Sequence, residues 1–153
     1  MTKQIETIKK VRALLLETIE GLNAEQLNKI PTGFSNNIIW NLAHMIAVQE
    51  GTCYKSARLP ILTSNDFWER FKPGSKPGKF IEAEEIAQIK QLLFVTLDQL
   101  QTDYNKQIFG NYIAWSTRFG VDVTSIDDGL HFLQFHERLH SGTIAAIKSV
   151  LLN

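Results

Sequence analysis

His136 and His140 stand four residues apart in a C-terminal helical pattern, within the run His136-Glu137-Arg138-Leu139-His140, and His44 lies in a second helical pattern far upstream. On an α-helix, residues four apart are separated by about 40° around the axis and about 6 Å along it. The pair therefore projects from one face and can bind one divalent metal ion. A third imidazole from a facing helix would complete a site that keeps open positions, the arrangement of a catalytic rather than a structural metal. The other reading is an exposed histidine pair and an unrelated core histidine, and spacing alone leaves both open. His131 falls about 140° from His136 and about 180° from His140, outside any shared site on a regular helix. Cys53 falls about 180° from His44 and reads as a small buried hydrophobe.

The same run satisfies H-E-x-x-H, in which two histidines hold zinc and the glutamate acts as general base. Such enzymes take a third ligand downstream, and Ser141 to Asn153 contains no His, Asp or Glu. Glu137-x-x-His140 also matches the carboxylate-histidine motif of di-iron bundles, which must recur on a second helix. Its only counterpart, Asp128-x-x-His131, lies on the same helical stretch. Glu137, about 60° from His140, is retained as a candidate proton acceptor. On the His44 stripe fall Asn37, Trp40, Asn41, Val48 and Gly51. On the His136/His140 stripe fall Phe132, Thr143 and Ile147. Most of these read as core packing. Asn41, one turn from His44, could orient a ligand or touch a substrate. Gly51, with no side chain, permits a close approach. Arg70, Lys72, Lys76 and Lys79, set among prolines and glycines, read as a solvated loop in preference to an anion site.

Four segments carry helical periodicity: roughly 3–22, 37–58 (capped by Asn36 or Ser35), 82–106 and 126–151, the last opened by a capping-box-like Ser125/Asp128. Residues 23–26 read as a capped short turn, and 59–80 and 107–124 as irregular connections. This pattern predicts an all-α four-helix bundle with long inter-helix connections, in one domain spanning 1–153. Connections near 20 residues exceed what a compact bundle needs and are expected to cross over and roof one end. Lys+Arg and Asp+Glu are 16 each, so the formal net charge is zero. That argues against a nucleic-acid partner, since duplex binders carry a basic face. A single cysteine excludes an intramolecular disulfide and points to a reducing compartment. The polar N-terminus lacks a signal-peptide apolar core, and no apolar run nears the ~20 residues of a membrane span. The expectation is a soluble, cytoplasmic protein with no membrane partner.

Trp40-Asn41-Leu42-Ala43-His44 resembles the tryptophan-to-histidine helix of the DinB/YfiT-like metalloenzymes. Phe119-Gly120-Val121-Asp122-Val123-Thr124, leading to Phe135-His136-Glu137-Arg138-Leu139-His140-Ser141-Gly142-Thr143-Ile144, resembles that family's C-terminal motif, and the likeness covers essentially the whole chain. The resemblance implies a four-helix bundle holding one divalent metal ion (nickel, zinc or iron) on His44, His136 and His140. It also implies a thiol transferase or thiol-dependent isomerase using a low-molecular-weight thiol, and a homodimer. Ser141-Gly142-Thr143 departs from the basic residue, Gly and Gln frequent in the family, which touches substrate choice and not the ligands. The expected function is therefore a mononuclear metal-dependent enzyme of the thiol-transferase type acting on a small-molecule substrate. A metal-dependent hydrolase and a non-catalytic metal- or ligand-binding or sensing bundle are the alternatives.

Overall fold

The computed structural model describes all residues, Met1–Asn153, and the chain is mostly helical. Six α-helices run α1 (Lys3–Thr18), α2 (Ala24–Asn28), α3 (Ile38–Cys53), α4 (Asn65–Phe71), α5 (Ala83–Asn105) and α6 (Ile126–Leu152). A two-stranded antiparallel hairpin, β1 (Trp115–Ser116) and β2 (Asp122–Val123), interrupts the link between α5 and α6. No helix is long and apolar enough to cross a membrane.

The four long helices begin close to where periodicity places them, and side-chain caps fix the starts of α1, α3 and α6. Asn37 caps α3 by accepting from the Trp40 amide, so the cap falls one or two residues later than Asn36 or Ser35. Ser125 caps α6 by accepting from the Asp128 amide, while the Asp128 carboxylate turns outward to Thr124. That is one half of a capping box. The complete box is at α2, where Asn23 and Gln26 bond reciprocally and extend the short turn into a helix.

α3 packs against both α5 and α6, and α1 packs against the same two helices. Every residue of α3 except Gly51 is buried. A helix apolar on all sides must be enclosed, and α2 and α4 cover the faces of α3 that α5 and α6 leave. The apolar interior forms two clusters, one around Leu15, Leu42, Met45 and Ile144 and the other around Ile8, Tyr54, Leu97 and Leu133.

A polar layer lies at the sequence positions between them. Arg12 of α1 is fully buried and pairs with Glu137 of α6 at 2.7 Å. Its guanidinium also donates to Gln49 Oε1 of α3 at 2.9 Å and to the Leu93 carbonyl of α5 at 2.8 Å. One side chain thus ties all four long helices together.

The connections are more ordered than 59–80 and 107–124 suggest. α4, capped by Ser64, lies inside the first of them. Glu50 of α3 holds the approach to α4 by accepting from the Leu62 and Thr63 amides at 2.7 and 2.8 Å and from the Thr63 hydroxyl. The second connection is pinned to the C-terminal end of α3: Tyr112 donates to the Thr52 carbonyl at 2.7 Å, and the Ile113 amide donates to Ser56.

Candidate metal centre

His44 comes from the middle of α3, and His136 and His140 from successive turns of α6. The three imidazoles converge: ring centroids are 5.2 Å apart for His44–His136, 4.8 Å for His44–His140 and 4.3 Å for His136–His140. One nitrogen from each lies within 4.8 Å of the others, so the group could hold a metal ion.

Two of the rings are locked. His44 Nδ1 lies 2.7 Å from the Phe71 carbonyl at the end of α4. A carbonyl only accepts, so Nδ1 carries the proton and the Nε2 lone pair is left for the centre. The last carbonyls of a helix have no partner within it, and here one of them orients a histidine. Trp40 stacks on the same ring at 4.4 Å and 12°. His140 Nδ1 lies 2.7 Å from Asn41 Oδ1. The Asn41 amide group donates to Asn36 Oδ1 and to the Asn37 carbonyl, which fixes its oxygen as the acceptor. His140 is thereby protonated on Nδ1 and also presents Nε2. Asn41 is the orienting residue that its position one turn from His44 suggests, although the ring it orients is His140.

The third ring is different. His136 Nδ1 is buried with no hydrogen-bond partner. An unsatisfied buried polar atom is costly, and a cation shared by the three rings would remove the need for a partner. Burial lowers the pKa of all three histidines, to about 2 for His136 and about 4 for His140. The nearby imidazoles and Arg118 push the last two further in the same direction. All three are neutral at pH 7, the form that ligates. Three neutral imidazoles, two of them anchored and the third lacking a partner, fit a divalent ion.

His44, His136 and His140 open into a cavity of about 750 Å³. Its walls include Val48 and Phe132 and all three tryptophans of the chain, Trp40, Trp68 and Trp115. Both long connections contribute, through Trp68 and Ser75 on one side and Thr117, Arg118 and Phe119 on the other. Gly51 permits the approach its position predicts. A Cβ there would sit 2.8 Å from the Trp68 ring, so Trp68 can reach the wall only over a glycine.

Glu137 corrects the expectation of a proton acceptor. It neighbours His136 in sequence, but its side chain turns away from the cavity into the helix core, fully buried and paired with Arg12. His131 is exposed and meets only Gln4, and Cys53 is fully buried, as their helical angles require. Thr143 and Ile147 do not line the cavity, one half-buried and the other in the core. Arg70 pairs with Glu85 and Lys72 with Glu69, so half of that basic run is neutralised locally. The residues missed in sequence are Trp68, Trp115 and Arg118, on segments without helical period, and Lys55, at the C-terminal end of the 37–58 segment.

The chain is helical, with three histidines from two facing helices that could hold a metal ion and with loops over one end. The DinB superfamily profile matches residues 7–144, and the chain belongs to that superfamily. No curated protein matches it.

Proposed function

We propose that the protein is a mononuclear metal-dependent enzyme of the thiol-transferase type. In this reading the four long helices act as a four-helix bundle within one domain, and His44, His136 and His140 are the metal ligands. The observation that supports it best is the chemistry of the cavity: three inward neutral imidazoles and no Asp or Glu among the lining residues. A hydrolase usually needs a side-chain base to take the proton of water, and Glu137 is spent on Arg12. A divalent ion supplies Lewis acidity, lowering the pKa of a thiol in its open positions.

The chain's own residues do the rest. Phe71 and Asn41 hold two imidazoles in the ligating tautomer, and the tryptophan walls exclude water from the apolar body of the electrophile. A carbon–sulfur bond forms from the thiol of a small cosubstrate as the bond to the leaving group breaks. The thiol proton passes to solvent through the open mouth.

The test is metal stoichiometry by elemental analysis of protein purified without a metal-binding tag. One divalent ion per chain is expected, and its loss in His44→Ala. Equal metal content in that variant would refute the ligand set. Asn41→Ala should weaken zinc binding about 10–100-fold while leaving the helical circular dichroism intact. An unaltered zinc affinity would show that Asn41 does not orient His140.

A further inference from the structure

We infer that the cavity beside the histidines is built for an organic anion with an apolar or aromatic body, its acid group held by Lys55 and Arg118. This rests on the same cavity being the substrate site, and it specifies the charge of what enters. The observations are of three independent kinds.

The first is charge. The lining includes Lys55 and Arg118 but no carboxylate. Neither cation belongs to an ion pair, whereas Arg70 and Lys72 nearby are both paired. A concave, low-dielectric wall with one sign of charge concentrates the opposite sign.

The second is positioning. Lys55 Nζ rests 4.7 Å from the centroid of the Trp68 ring, and the Arg118 guanidinium 4.9 Å from that of Phe119. Aromatic faces attract and localise such cations. The connections carrying them are also fixed. Thr117 ties the hairpin turn through Val121, and Tyr112 and Ile113 fasten its approach to the C-terminal end of α3 and the turn after it. The cations come from the turn directly after α3 and from the hairpin, and both stand on fastened supports.

The third is an excess of donors. Trp40 Nε1 and Ser75 Oγ, both on residues of this wall, are buried and have no hydrogen-bond partner. Trp40 Nε1 can only donate, so an acceptor seated against the wall would satisfy it, whereas the Ser75 hydroxyl can donate or accept. Trp115 and Phe132, edge to face at 5.3 Å, supply the apolar surface.

The experiment is isothermal titration calorimetry at low salt with 4-phenylbutyrate, its neutral amide and 4-phenylbutylamine. Each is run on metal-stripped and on zinc-loaded protein. In the metal-stripped protein the carboxylate is expected to bind at least about tenfold more tightly than the amide, and the amine not measurably. In Lys55→Met/Arg118→Met, where both exposed side chains lie outside the core, the acid-to-amide ratio should fall to about one. Failure of the acid to bind, equal affinity for acid and amide, or an acid preference that survives the double substitution would each overturn the inference. Zinc titrated separately into both proteins keeps the two ideas apart. Absence of zinc binding with a retained acid preference refutes the metal assignment alone. Zinc binding without an acid preference refutes this one alone.

Discussion

Replacing Arg12 by methionine is expected to destabilise the protein by about 3–5 kcal/mol, because it leaves Glu137 charged and buried without its partner. Arg12 and Glu137 are both fully inaccessible, and the guanidinium has no access to water that could compensate. It also donates to Gln49 and to the Leu93 carbonyl, so the substitution orphans acceptors on α3 and α5 as well. In urea denaturation the midpoint should fall by roughly 1–2.5 M, taking a slope of about 2–3 kcal/mol/M for a chain of this size. The double variant Arg12→Met/Glu137→Met should recover much of the loss, since burying two apolar chains costs less than burying one unpaired charge. A loss below about 1 kcal/mol for the single variant would mean that the ion pair does not hold the helices together. His136 directly precedes Glu137 in sequence. By fixing how α6 rotates against α1, Glu137 determines that His136 and His140 face α3.

The second large effect is on stability with metal and pH. Zinc at 100 times its dissociation constant should stabilise the folded protein by about 2.7 kcal/mol, raising the melting temperature by roughly 5–10 °C. His136→Leu should abolish that increment. The same variant is expected to make the metal-free protein less sensitive to acid. All three histidines have folded pKa values below the ordinary 6.5, so between the two values the unfolded chain binds more protons. Stability is therefore fully present above about pH 6.5 and declines as pH falls, towards pH 4 for His140 and further for His136. The slope reaches about 1.4 kcal/mol per pH unit for each histidine titrating. Thermal melts of metal-free wild type and His136→Leu between pH 7.5 and pH 5 measure it. Parallel curves for the two proteins would show that His136 is not protonated on unfolding.

Much of this was legible in sequence wherever a periodic or angular rule applied. Helical spacing located α1, α3, α5 and α6 to within a few residues, the larger overruns falling at the C-terminal ends of α1 and α3. The same angles excluded His131 and Cys53 and singled out Asn41 and Gly51. Glu137 failed because an angle of about 60° from His140 is compatible with either the site or the interior. Its partner, Arg12, is 125 residues away, and although it falls on the Ile5, Ile8 and Leu15 stripe of α1, no local pattern pairs it with Glu137. The α4 segment, Asn65–Phe71, is too short to show a period, so its two contributions, the Phe71 carbonyl and the Trp68 wall, had no signal. Arg118 sits in a five-residue hairpin turn whose position over the mouth depends on Tyr112 reaching Thr52, a contact no local pattern encodes.

Because Trp40, Trp68 and Trp115 are the only tryptophans and all line one cavity, the protein carries its own optical reporter. Its indole emission comes from that chamber and from nowhere else in the chain. A paramagnetic ion at the histidines would quench it, a displaced wall would shift its colour, and an entering molecule would change both. Occupancy can thus be followed in real time on the unlabelled polypeptide.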